Sequence, residues 1–304
     1  MNIENIKEIE KIINKTGNYK SVAELIENVK FKPQCFTMKR NDLYEIFKSY
    51  HHHDIYEIIY IIKGNVDFFV EEKKYELTDG DMILVHPNLL HKLVFANKSE
   101  CQRVIVNFTS AYAEKFNSHD TNILNIFDLI NERGMYKISF YPEKRKRLVK
   151  YFEEMEKHQF SNEFGSDLLY NINFAEFMLL INKVYMNLPE EDLIQKNINN
   201  PYVTKIIEYI NQHIDKKIQL QDIANHLSLS VSRISHIFKN VTGLSIMNYI
   251  IKKRLVLAKE LLKNGEHIKT VYLKCGFPDE ASFFRYFKQE YKTTPKKYAL
   301  SVKI

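Results

Sequence analysis

Between Leu220 and Pro295 the chain carries one supersecondary pattern twice, and that repeat restricts the fold more than any other feature. The first copy is LQDIANHLSLSVSRISHIFKNVTG (220–243) and the second is HIKTVYLKCGFPDEASFFRYFKQEYKTTP (267–295). Each reads as a short helix, a tight turn and a longer helix with Phe-Lys near its end, at Phe238-Lys239 and Phe287-Lys288. Ser230 and Asp279 precede the longer helices, where a short polar side chain accepts hydrogen bonds from free backbone N–H groups. Two helices joined in this way form a helix-turn-helix, whose second helix fits a DNA major groove.

The stretch between the copies, SIMNYIIKKRLVLAKELLKNG (245–265), predicts one long connecting helix. Ser245 is a good N-cap and Gly265 a good stop, and Tyr249, Ile250, Leu255, Ala258, Leu261 and Leu262 recur at three- and four-residue steps. About 18 helical residues span roughly 27 Å, close to the roughly 34 Å between successive major-groove faces. One chain can therefore address two adjacent grooves. Charge agrees with this. Residues 201–304 hold 18 Lys and Arg against 8 Asp and Glu, a net of +10, whereas the whole chain is only +6 and residues 1–200 therefore carry −4. A basic region of this size attracts phosphates and releases counterions on binding.

The residues Ala224, Leu227, Ser230, Phe238-Lys239, Gly243-x-Ser245, Arg254-Leu255, Gly276-Phe277, Ser282-Phe283, Arg285, Phe287-Lys288, Pro295 and Tyr298 resemble the DNA-binding domain of the AraC/XylS transcription regulators. The resemblance covers about 100 residues. Two positions depart from it. Tyr272 stands where the family has a small alanine, and Lys292 stands where it has a glycine. The second residue matters because glycine is the usual occupant of a positive-φ turn.

The predicted recognition helix of the first copy starts after the N-cap Ser230 and runs from Val231 to about Asn240, with Ile234, Ile237 and Phe238 facing inward. Its outer face carries Ser232, Arg233, Ser235, His236 and Lys239. The resemblance places Ser232, Ser235 and His236 at base edges. Lys239 suits a phosphate, which positions the protein without reading sequence. In the second copy Glu280, Ala281, Phe284, Arg285 and Lys288 face outward, with Phe283 and Phe287 inward. Arg285 is the leading candidate there for a base or phosphate. Glu280 either accepts from a cytosine amine or only complements the helix N-terminus.

The remainder of the chain reads as a sensor. Its length, 304 residues, fits two domains. The stretch KNINNP (196–201) is polar, aperiodic and ends in proline, so it reads as a linker. The charged start and the absence of an 18-residue apolar run predict neither a signal peptide nor a membrane span. Three scattered cysteines, Cys35, Cys101 and Cys275, fit a reducing, cytoplasmic setting. No phosphate-cradling glycine motif is present. Within residues 50–110, the runs 56–62, 66–70, 73–77, 82–85, 92–95 and 103–108 are short, β-branched or aromatic, and separated by turn signals. They predict a β-sandwich or small barrel.

On these strands lies a second resemblance. His51-x-His53-x-x-x-Glu57 followed by Gly64, then Gly80-Asp81 and His91, is similar to the two signature motifs of the cupin barrel. The second motif lacks its usual glycine and has Pro87 displaced by one position. Residues 51, 53 and 57 differ by even numbers, which on one strand places their side chains on one face. His52 then points to the opposite, solvent face. Three imidazoles and a carboxylate hold Mn, Fe, Zn or Ni, or line a pocket for an organic effector, or are strand-edge polar groups that bind no ligand. The resemblance favours the effector pocket, since related sensor domains keep such a remnant without a metal.

Residues 143–187 read as two helices whose apolar faces pack against the barrel and, by resemblance, serve a homodimer contact. Ile3, Ile6, Ile9 and Ile13 suggest a leading helix or arm. The expected fold is a multi-domain α+β chain. It comprises an N-terminal segment (1–30), a cupin-like β-barrel sensor (31–140), a helical segment (141–195), a linker (196–201) and an all-α DNA-binding domain (202–304). The expected function is a cytoplasmic transcription regulator, by resemblance an activator, and not an enzyme. Its expected partners are promoter DNA, by resemblance RNA polymerase, and a small effector, by analogy a carbohydrate, with no resident cofactor. The alternatives are a metal-responsive regulator built on His51, His53, Glu57 and His91, and a cupin enzyme fused to a DNA-binding domain.

Overall fold

The computed structural model describes residues 35–42, 50–71, 73–95, 101–159, 161–188 and 200–301. The expected N-terminal arm and most of the expected linker lie outside them. The chain divides into two compact units, residues 1–198 and 199–304.

The first unit is built on two antiparallel sheets. Strands β1 (Cys35–Asp42), β7 (Cys101–Phe108), β2 (Tyr56–Lys63), β5 (Asp81–Val85) and β8 (Lys137–Ser139) form a five-stranded sheet in the order β1-β7-β2-β5-β8. Strands β4 (Lys73–Leu77), β3 (Val66–Val70) and β6 (His91–Phe95) form a three-stranded one, ordered β4-β3-β6. An isolated pairing of His51 with His91 connects the approach to β2 with β6.

Strands β2 and β7 are buried almost throughout because both faces of their sheet are covered. Around this sheet lie α1 (Ser110–Ala113), α2 (Asn125–Arg133), α3 (Pro142–Gln159) and α4 (Ser166–Met186). One face of the sheet meets these helices. Phe108 packs edge-on to Phe174 of α4 at 5.1 Å, Tyr56 to Phe127 of α2 at 4.5 Å, and Tyr60 lies 5.5 Å from Phe152 of α3. The two-residue side-chain period then sends Glu57, Ile59, Arg103 and Ile105 to the other face, toward an internal cavity. Strand β3 alternates buried and half-buried residues, with Val66, Phe68 and Val70 inward, as expected of a strand with one covered face.

The second unit is all helical: α5 (Pro201–Gln212), α6 (Leu220–His226), α7 (Val231–Thr242), α8 (Ile246–Lys263), α9 (Ile268–Lys274), α10 (Glu280–Tyr291) and α11 (Pro295–Ser301). Pro201, expected to end the linker, instead opens α5. Asn200 caps this helix, and a proline at the first helical position loses no hydrogen bond. The long α8 supports both helix-turn-helix units. Its Tyr249 meets Phe238 of α7 at 5.4 Å, whereas Leu255, Ala258 and Leu262 join a core with Val271, Phe283 and Phe287. Tyr272 is accommodated half-buried against that second core, and α9 keeps its helix.

Candidate functional site

The two recognition helices, α7 and α10, are positioned by matching local chemistry. The Ser230 hydroxyl accepts from the Arg233 backbone N–H at 3.2 Å, and the Asp279 carboxylate accepts from the Ser282 N–H at 2.6 Å. That hydrogen bond holds the Asp279 carboxyl below its usual value of 3.8, with added pull from Arg285. Ile234 and Phe238 are buried on α7, as are Phe283 and Phe287 on α10, and these stripes fix which face each helix turns outward.

On α7, Ser232, Arg233, His236 and Lys239 are exposed, and Ser235 is half-buried. On α10, Glu280, Ala281, Arg285 and Lys288 are exposed. Phe284 differs from the sequence expectation of a free outward ring. It is half-buried, with its edge on Phe283 at 5.8 Å, so much of its area belongs to the second core. Arg285 lies over the ring of Tyr286 at 4.9 Å. Together the two outward faces present hydroxyls, guanidinium, imidazole and ammonium groups. This is the donor-rich chemistry that reads guanine and thymine edges and binds phosphate.

The first unit holds the second cluster. His51, Glu57, Ile59, Phe68, His91, Leu93, Arg103 and Ile105 line one cavity. The pairs 57 and 59, 91 and 93, and 103 and 105 are each two residues apart, so each strand contributes one polar and one apolar wall. The cavity encloses about 280 Å³ of unfilled space, counting its mouth, and a whole water fits in only about one position.

Glu57 is 3% exposed. Its Oε2 lies 3.2 Å from His91 Nε2 and 3.5 Å from His53 Nε2. Both separations are within hydrogen-bonding range, and hydrogen bonding and charge from the two imidazoles act together on the carboxylate. Burial raises the Glu57 carboxyl, but the two imidazoles outweigh it and hold the group well below its ordinary value. Burial lowers His53, and its contacts with Glu57 reverse this to a net rise above 6.5. His53 Nδ1 meets the Ile55 carbonyl at 2.9 Å, and His91 Nδ1 meets the Leu89 carbonyl at 2.8 Å. The His51 and His91 rings lie 4.3 Å apart and those of His53 and His91 4.9 Å apart.

Even spacing predicts residues 51, 53 and 57 on one strand. The structure corrects this: β2 begins only at Tyr56, with a bend at Asp54–Ile55, and His51 pairs separately with His91. Convergence comes from that bend and from the strand β6 opposite. His52 is half-buried rather than solvent-facing. Arg103, 1% exposed, was missed. Its signal was present in CQRVIVNF, as a cation in phase with Ile105 on an otherwise apolar strand.

Comparison with known proteins follows the same division. Residues 37–172 match the AraC-like ligand binding domain, and residues 223–300 match a helix-turn-helix domain model. The chain belongs to the AraC/XylS family of transcription regulators. It is 24% identical over 256 residues to the "HTH-type transcriptional activator RhaR" of Mannheimia succiniciproducens, covering 82% of this chain and 86% of that protein. It is 23% identical over 257 residues to the "Probable transcriptional regulator LumQ" of Photobacterium leiognathi, covering 84% and 94%. Among solved structures it resembles apo ToxT of Vibrio cholerae strain SCE256, at 17% identity and a TM-score of 0.39, over 89% of this chain and 98% of that one. As a member of this family the chain is a DNA-binding transcription regulator with a ligand-binding domain. No described helix is long and apolar enough to cross a membrane.

Proposed function

We propose that the protein is a cytoplasmic, non-enzymatic activator that binds promoter DNA through both recognition helices and changes that binding when a small effector enters the cavity of its first unit. The observation that carries the DNA reading is the pair of buried stripes, Ile234-Phe238 and Phe283-Phe287, which leaves Ser232, Ser235, His236 and Arg285 free to face a groove. Lys239 and Lys288 then contact phosphates, and Arg233, Glu280 and Ala281 complete the two faces. Activation rests on the family and on the activator RhaR among its relatives. RNA polymerase is the partner that role requires.

The effector is read by His51, His53, Glu57 and His91 with Arg103. The family analogy makes a carbohydrate the leading class. Since the cavity has room for about one water, a sugar enters only by displacing side chains, and such displacement is a means of coupling binding to conformation. A homodimer is supported by α4, on which Leu168, Leu169 and Ile172 are exposed, with Phe164 exposed just before it, among the described residues.

The test is a salt titration of binding to DNA upstream of the protein's own gene. Selective binding whose logarithm falls linearly and steeply with log salt is expected, because each neutralised phosphate releases counterions. Equal, weak binding to every DNA fragment, with and without cell extract as an effector source, refutes the reading.

A further inference from the structure

We propose that the effector is an anion: a small hydroxylated carboxylate of the sugar-acid class, its carboxylate held by the Arg103 guanidinium and its hydroxyls by Glu57 and Asn107. This rests on the effector reading given above and narrows it from carbohydrates at large. The charges of the cavity stand at opposite ends. Cross-strand pairing sets Glu57 opposite Asn107 and Ile61 opposite Arg103. The carboxylate and the guanidinium thus rise from positions four residues apart along the sheet, about 13 Å at the strand rise, yet both line the same cavity. Ile59 pairs with Ile105 between them, and Phe68 pairs with Leu93 on the three-stranded sheet. The cavity therefore has an acidic end, an apolar girdle and a cationic end.

Each end asks for a different group. His53 and His91 hold the Glu57 carboxyl well below its ordinary value, so it stays ionised and only accepts hydrogen bonds. Asn107 lies opposite it, two residues from Ile105 and so on the cavity-side face of β7. Its Oδ1 is buried, and no described residue donates to it. Two buried acceptors side by side call for hydroxyl donors. At the other end, buried Arg103 offers a planar fork of N–H donors and no acceptor. Such a fork matches the two oxygens of a carboxylate. The charge adds an attraction that a neutral sugar lacks, and apolar walls make it larger than in water.

The two ends together name the class. A simple carboxylate serves Arg103 alone, and a polyol serves only Glu57 and Asn107, whereas an acid that carries hydroxyls serves all three. The girdle receives the C–H faces of its carbon skeleton. The cavity, about 280 Å³ with its mouth, limits that skeleton to a compact one. Arg103 is also well placed to hold a charge in a fixed position. It stands on β7, which is paired on both sides, with β1 and β2, so the fork projects from the interior of a sheet and not from a loop.

The full chain is titrated with galacturonate and gluconate, and in parallel with the methyl ester of galacturonate and with galactose and glucose, at matched ionic strength. Melting temperature and calorimetry follow binding. Expected is a saturable rise in melting temperature with an acid. The matched ester or neutral sugar should bind roughly tenfold or more weakly. Arg103→Lys keeps the charge but loses the fork, and should weaken the acid by a similar factor while leaving the neutral sugars as they are in the parent. If that variant does not fold, the acid and ester comparison on the parent chain decides by itself. No rise with either acid overturns the proposal. Equal rises with acid and ester, or a neutral sugar that binds as tightly, overturn it while the effector reading stands. Operator binding by the unliganded full chain is measured alongside, and its failure would count against the regulator reading instead.

Discussion

Lys292 is a residue whose cost can be worked out from the structure. It ends α10 in the left-handed region at φ 56°, ψ 5°, and its N–H donates to the Lys288 carbonyl at 2.9 Å. Gly243 ends α7 in the same way at φ 77°, donating to Lys239 at 2.8 Å. The two helix-turn-helix units thus share one terminating hydrogen bond, made by glycine in one and lysine in the other. A residue with a Cβ loses roughly 1–2 kcal/mol in this conformation. Against that, replacing Lys292 by glycine frees the unfolded chain, worth about 0.5–1 kcal/mol, and removes an exposed cation near a helix C-terminus, worth a few tenths. The expected net for Lys292→Gly is a stabilisation of about 0.5 kcal/mol, or a few degrees in a domain of this size. Gly243→Ala should destabilise by about 1 kcal/mol, through the same strain in reverse. Urea-dependent hydrogen exchange of the α7 and α10 amides in the full chain reads both effects without assuming that the whole protein unfolds in one step. A lower opening free energy for α10 in Lys292→Gly, with α7 unmoved in Gly243→Ala, refutes the reasoning.

Other outcomes follow from the same structure. Arg285→Ala should cost about 1–3 kcal/mol in operator affinity and relax preference at one base position, whereas Lys239→Ala should weaken binding to all sequences and reduce the salt slope by about 1. Competition binding against single-base operator variants separates the two. Lys92 is 5% exposed beside Tyr50 and Phe69, and burial pushes its ammonium down to about 8 from 10.5. A lowered folded value means the unfolded state binds more protons between those limits, so stability rises with pH there. Lys92→Met should therefore raise the denaturation midpoint more at pH 7 than at pH 10, and an equal gain at both counts against it. Arg103→Leu should leave operator binding without effector intact and abolish the response to effector in a reporter assay. A retained response removes Arg103 from the cavity's function.

The helical half was legible because its signals are local. Ser230, Ser245 and Asp279 cap the helices that the sequence places after them, and Phe238, Phe283 and Phe287 are buried as their spacing requires. The turns show where composition alone misleads. The first helix-turn-helix carries Ser228 at φ 54° where the second carries Gly276 at φ 72°. Gly276 is constrained by tertiary packing, since a Cβ there would stand 2.5 Å from the Ile214 carbonyl oxygen. Nothing in the second copy itself announces that neighbour, which comes from the loop after α5. Helix α5 escaped notice for a related reason. Its proline reads as the end of a linker, although proline is favoured at the first position of a helix.

The sensor cluster was legible in its residues but not in its geometry. The resemblance to the cupin motif marks His51, His53 and Glu57, and parity sets them on one face by supposing one continuous strand, yet the bend at Asp54–Ile55 breaks the strand that parity assumes. Their meeting depends on His91, forty residues after His51, which pairs with it across the sheets. Arg103 illustrates the converse. Parity, applied to β7 with Ile105 as reference, places it on the cavity wall, but a charge inside an apolar strand reads as an edge or surface residue until the partner strands are known. β7 lies between β1 and β2 and has no free edge. A buried cation is retained there, near an acidic residue ringed by imidazoles, in the cavity where the regulator is proposed to receive its signal. Stability alone gives no reason for that arrangement, because apolar residues of similar volume would pack the same space at lower cost.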